Sequence, residues 1–207
     1  MNNKYYILPL LASLSANVMA DDTSMPITDT AGKWSWGITG SHNTFDESVF
    51  AQGIEDSATG FGFELDYEKS GWYTTVSAEY LAYDDNLTFR QKVIGTGWAN
   101  KGDSSTKSSN ASGLLMGMAS GVVRYYGESN DIGLYAQGGI NIMARSERTI
   151  EACSNCSSQD IDIDGGLFIK TGVKKKFGRM NIGLHAKYYL SGDSLNSTLA
   201  LSIGSDF

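Results

Sequence analysis

Two prolines, two cysteines and two histidines are all that this 207-residue chain has of those types. A zinc centre needs about four ligands, and besides Cys153 and Cys156 the only histidines, His42 and His185, fall on separate strands, so no such site is expected. The pair Cys153 and Cys156, spaced C-x-x-C, reads instead as a small disulfide trimming a loop in an oxidising compartment. Basic residues are also short: 16 against 23 acidic, a formal net charge of −7, which argues against nucleic acid as a partner. No run is long enough to cross a bilayer as a helix; the best candidate, Gly113–Val123, is short, glycine-rich and broken by Ser120. There is no P-loop, dinucleotide glycine pattern or calcium loop, so no cofactor and no metal is expected.

What the chain does have is glycine, 24 of them, and 11 tyrosines, a balance that favours strands over helices. The N-terminus carries Lys4, the apolar run Tyr5–Leu14 and then Val18-Met19-Ala20, which reads as an export signal over residues 1–20. Residues 21–32 read as a polar periplasmic lead-in, and residues 33–207 as one domain.

That domain alternates. Strands are expected over Lys33–Phe45, Thr59–Glu68, Trp72–Tyr83, Gly113–Tyr126, Asp131–Arg145, Ile161–Phe177, Met180–Leu190 and Ser197–Phe207. The second is the cleanest: Phe61, Phe63, Leu65 and Tyr67 share one face, Glu64, Asp66 and Glu68 the other. In the fourth the parity is ambiguous, and facing Leu115, Val123 and Tyr125 to lipid turns Arg124 inward. Eight strands joined in sequence without a helical crossover make an up-and-down antiparallel barrel. Short connections at Lys69–Gly71, Gly127–Asn130 and Gly178-Arg179 alternate with long ones at Asp46–Ser57, Gly95–Ser112 and Ser146–Asp160. Bilayer-spanning barrels have short periplasmic turns and longer outer loops, which is this rhythm. Aromatics from six strands (Trp34/Trp36, Tyr67, Trp72/Tyr73, Tyr125/Tyr126, Phe177 and Phe207) fall at the short-turn end, as an interfacial girdle requires. A soluble barrel with an apolar cavity is disfavoured, because the second face is charged.

The last strand adds a resemblance. Leu199, Leu201, Ile203 and Phe207 alternate up to a terminal aromatic, similar to the closing strand of Gram-negative outer-membrane barrels. Ser205 stands where that pattern has an apolar residue. The domain resembles the small eight-stranded barrels of the OmpA/OmpX type. The resemblance implies a seat in the outer membrane among lipid and lipopolysaccharide, and a terminal aromatic read by the barrel-assembly machinery. It also implies outer loops (46–57, 95–112, 146–160) open to a surface ligand.

The inward face gathers Glu64, Asp66 and Glu79 from strands two and three, and Arg124, Arg145, Lys170, Lys174, His185 and Lys187 from strands four to seven. Opposite charges in so narrow a lumen should meet and plug it, with Glu79 and Lys187 near the middle. The expected function is then a non-enzymatic barrel serving envelope integrity or surface contact. The alternatives are a narrow channel for small solutes and a lipid A-modifying enzyme. The one candidate for the last is His42 with Thr44, and it lacks a third group to orient the imidazole.

Overall fold

In the computed structural model the described residues are 32–85, 88–94, 101–150 and 158–207; Cys153, Cys156 and residues 1–20 lie outside them. The described residues form ten strands: β1 (Lys33–Phe45), β2 (Ile54–Lys69), β3 (Trp72–Asp85), β4 (Thr88–Ile94), β5 (Lys101–Tyr126), β6 (Ile132–Ile150), β7 (Ser158–Asp160), β8 (Gly166–Phe177), β9 (Met180–Tyr189) and β10 (Leu195–Asp206). Eight of them form a ring, β1-β2-β3-β5-β6-β8-β9-β10, in which each pairs antiparallel with the next. The ring closes through β10 on β1, with Ile38 opposite Ile203 and His42 opposite Leu199. Closure leaves the spanning part of the sheet without an edge, so its backbone groups are paired within the protein.

The tight turns follow from local chemistry. Lys69 pairs with Trp72, and both intervening residues, Ser70 and Gly71, have positive φ (53° and 77°), the two-residue geometry that matches strand twist. Gly178 (φ 64°) opens the equally short turn between Phe177 and Met180.

Four expectations need correction. The polar stretch Gly95–Ser112 is not all loop: from Lys101 onward it belongs to β5, which pairs with β4 in a ribbon beyond the barrel. Such a ribbon has no bilayer beside it, so its sequence need not alternate between apolar and polar. Second, the sixth barrel strand begins at Gly166; Ile161 and Ile163 leave the sheet and are 4 % exposed each, packed over the barrel mouth. Their alternation comes from burial against loops, not from a pleat.

Third, β5 has the opposite parity to that expected. Leu115 and Val123 are 2 % and 3 % exposed and face inward, Tyr125 turns inward to Glu68, and Arg124 is exposed on the outside. Apolar residues occupy both faces of this strand, and the outward set is Leu114, Met116 and Met118. That parity removes Tyr125 from the outward girdle, and Tyr73 on β3 is buried and leaves it as well. Fourth, Arg145 is outside the lumen. Leu114 pairs with Arg145 but Leu115 pairs with Met143, so Ala144 is an extra residue and the bulge reverses the facing of the residues beyond it. Arg145 is bonded instead to Glu147 (2.6 Å), its own side chain 70 % exposed.

Candidate functional site

The outward face of the ring is an apolar belt. Phe61, Phe63, Val76, Met118, Ile142, Leu167, Leu184, Leu199 and Leu201 are all large, apolar and exposed. At the end with the short turns it is bordered by Trp34, Trp36, Trp72, Tyr126, Phe177 and Phe207. Exposed apolar surface on that scale is untenable in water but is what hydrocarbon requires, and aromatics belong at its margin.

The inward face is organised by charge. Carboxylates come from β2 and β3 (Glu64, Asp66, Glu68 and Glu79); cations come from β8 and β9 (Lys170, Lys174, Lys176, Lys187, with His185). In the ring these two pairs of strands stand opposite one another. Interior width in an eight-stranded barrel is about two side chains, so the two sets meet across it.

At the centre Lys170 Nζ lies 2.8 Å from Glu64 Oε1, with His185 Nε2 3.8 Å from the same oxygen. Lys170 and His185 are 1 % and 2 % exposed. Towards the periplasmic end, Lys174 and Tyr125 converge on Glu68 Oε2 at 3.1 and 2.6 Å, and Lys174 lies over the Tyr73 ring. Asp66 accepts from Thr75 at 2.7 Å, and Gln137 ties Thr75 to the Tyr73 carbonyl. Towards the outer end Glu79 accepts from Ser41 and from Asn43 (3.0 Å), with Lys187 Nζ 3.7 Å from its other oxygen. Gly60 makes room for this carboxylate, since a side chain there would occupy the position of Glu79 Oε1 and Ser41 Oγ.

Above this polar column sits an apolar cap that sequence reasoning missed. Phe45, Leu81, Leu115, Phe168 and Tyr189 pack with Ile54 and Leu195, which open β2 and β10, and with Val49, Ile161 and Ile163 from the outer connections. Gln52 fastens the connections together. Its side chain donates to the Asp162 carbonyl (2.7 Å) and accepts from the Asp162 N–H (2.8 Å), while its carbonyl accepts from Arg148 (2.7 Å). Asp164 N–H donates to Ser194 Oγ at 3.0 Å, and Asp46 N–H to the Ser194 carbonyl at 2.9 Å. The only signal for the cap in the sequence is the pair of isoleucines between aspartates at 160–164.

A closed ring of eight strands, apolar outside and lined by polar and charged side chains inside, decides the architecture. The fold is that of the small OmpA/OmpX-type outer-membrane barrels. Such closed antiparallel barrels are seated in the outer membrane, crossing it with strands. The described helix, Glu47–Phe50, is a single turn and crosses nothing.

No family model and no curated protein matches this sequence. Similar solved structures include Neisserial surface protein A, 11 % identical with a TM-score of 0.49, over 85 % of this chain and 97 % of that one. Ail of Yersinia pestis, in complex with the heparin analogue sucrose octasulfate, is 16 % identical with a TM-score of 0.48, over 85 % and 97 %. The N-terminal barrel domain of Pseudomonas aeruginosa OprF is 13 % identical with a TM-score of 0.39, over 86 % and 100 %. At these values the likenesses carry no functional assignment for this barrel.

His42 is exposed on the outside of β1, between Thr59 and Leu199 on the neighbouring strands. The Thr44 hydroxyl is 2.8 Å from that of Ser197, so its near partner is another hydroxyl rather than a base. Among the described residues no three of His, Cys, Asp and Glu gather as a metal site. Leu199, Leu201, Ile203 and Phe207 all face outward, and Phe207 N–H donates to the Trp34 carbonyl at 3.0 Å.

Proposed function

We propose that this barrel is a non-enzymatic, plugged element of the outer membrane that stiffens the envelope and holds a fixed platform of outer loops for surface contact. What supports the reading is that ion pairs span the centre of the lumen and an apolar cluster lies at its outer mouth. Ion pairs and hydrogen bonds across the column make it rigid, and the bonds of Gln52 tie the connection after β1 to the segment at Asp162 beside the cap.

Conductance tests this. The wild-type barrel in a planar bilayer is expected to pass no steady current. The double substitution Ile161→Ser/Ile163→Ser should loosen the outer loops to protease yet still leave the bilayer sealed, because the Glu64–Lys170 layer lies below. Steady ion flow through the wild type would favour the alternative of a narrow solute channel.

The export signal at residues 1–20 and the role of the closing strand belong to the same proposal. Deleting Phe207 removes an interfacial aromatic and the Trp34 backbone bond together. Folded protein in the membrane, counted as the fast-migrating band in unheated gels, should fall several-fold while export continues. Unchanged folded levels would show that this strand closes the barrel without its terminal aromatic.

A further inference from the structure

We propose that this barrel carries a binding site for one phospholipid of the periplasmic leaflet, its acyl chain lying along the β10–β1 seam and its phosphate held at Arg179. The belt has a dent on this seam, a groove of about 730 Å³ bounded by Trp36, Phe61, Met180 and Leu201. Its floor is open because Gly40 faces outward there, directly between Phe61 on β2 and Leu201 on β10. A Cβ placed on Gly40 would meet nothing within 4 Å, so the depression is as wide as the missing side chain and its neighbours allow.

The length and the ends of the groove select the occupant. Along β10 it runs from Leu201 to Ser205, about 13 Å at roughly 3.3 Å per residue. Half of a hydrocarbon core of about 30 Å is close to that. It therefore spans one leaflet, and it is the leaflet on the side of the short turns, because Ser205 and Met180 adjoin the Gly178-Arg179 turn. That leaflet of an outer membrane is phospholipid, whereas lipopolysaccharide occupies the other. Acyl chains surround the barrel at this depth, and a rigid slot orders a chain that would be mobile against a convex surface.

Charge at the mouth matches the headgroup. Arg179 is exposed, and its position is fixed because its carbonyl accepts from the Asp206 N–H at 2.8 Å. The Asp206 carboxylate turns the other way, towards Lys176 (3.5 Å) and Asn181 (3.2 Å). A guanidinium at the interface suits a phosphate bidentately. Ser205 supplies a hydroxyl at the same end, and Trp36, directly opposite it across the strands, supplies an interfacial ring. The serine that departs from the closing-strand pattern thus lies where an apolar side chain would obstruct the headgroup end of the groove.

The test is native mass spectrometry of the folded barrel in mild detergent, as purified and after addition of palmitoyl-oleoyl phosphatidylglycerol. Wild type is expected to retain one phospholipid. Gly40→Leu, which fills the floor, and Leu201→Trp, which narrows the wall, should each lower the bound fraction about tenfold, a loss of affinity of that size. Arg179→Gln should lower it several-fold. Gly138→Leu is the control: Gly138 is also exposed with nothing within 4 Å of a Cβ, and lies on β6, across the ring from β1. It should behave as wild type, and heat-shifted mobility on gels shows that each variant is folded. Equal retention in wild type and both groove variants would overturn the site, as would equal loss in Gly138→Leu. It would also fall if Gly40→Leu changed only the fraction of dimer, which would make the groove a contact between copies.

Discussion

Lys170→Met is expected to cost this barrel about 3–5 kcal/mol, because it leaves Glu64 charged and unpaired in the centre of the lumen. Lys170 is 1 % exposed, and its ammonium is the near partner of Glu64 at 2.8 Å. His185, at 3.8 Å, is too far to replace that bond. The double variant Lys170→Met/Glu64→Leu should recover most of the loss, since two apolar groups of similar size in a packed interior can match a buried ion pair. Urea titration of the barrel in lipid vesicles, read by the mobility of the unheated band, gives both numbers, and the double-mutant cycle gives the coupling. A single-variant cost below about 1 kcal/mol would mean that water reaches Glu64, and the plugged lumen would have to be abandoned.

Glu79→Ala should be nearly as costly, and Glu55→Ala nearly silent. Glu79 is 5 % exposed and accepts from Ser41 and Asn43 while facing Lys187. Removing it strands the Lys187 ammonium and leaves two donors unmatched, a loss of about 3 kcal/mol or more. Glu55 is exposed at the outer rim, where a substitution changes stability by no more than about 0.5 kcal/mol. Glu79→Gln separates the contributions, because the amide can still accept from Ser41 and Asn43 but cannot balance Lys187. The midpoint of the heat-induced mobility shift ranks the three variants. Equal midpoints for Glu79→Ala and Glu55→Ala would show that the outer part of the column contributes nothing to holding the barrel together.

The two predictions reach different layers. In the central one the pair is close and dry. In the outer one a carboxylate is held chiefly by neutral donors, with the lysine at 3.7 Å. If both hold, the lumen behaves as one connected column beneath the cap formed by Val49, Ile161, Ile163 and Leu195. The connection at Gln52, β6 at Arg148 and the segment at Asp162 then hold together as one body at the outer mouth.

The sequence by itself determined the ring. Phe61, Phe63 and Leu65 against Gly62, Glu64 and Asp66 can satisfy a bilayer and a polar interior only as a strand between the two, and the same holds along β1, β9 and β10. The spacing of short turns set the strand order, since a two-residue turn such as Ser70-Gly71 permits only an antiparallel neighbour. Charges of opposite sign on early and late strands were legible for the same reason: strand order alone places β2 and β3 across from β8 and β9.

Tertiary structure decided what alternation leaves free. Along β5 both faces carry apolar residues, so its parity depends on which side chains meet it across the lumen. Side chains at Gly113 and Gly117 would collide with Tyr83 and Asn141, which fixes those glycines inward and with them Leu115 and Val123. The bulge that sends Arg145 outward is one extra residue in a ladder, and a single residue has no periodic signature. Ile161 and Ile163 read as strand because packing over the mouth also buries every second residue. The expectation that Glu79 and Lys187 hold the middle also fails, since Glu64 and Lys170 sit there and Glu79 and Lys187 lie nearer the outer end: the stagger of the closed ring sets the height of each side chain, and it exists only once β10 has found β1.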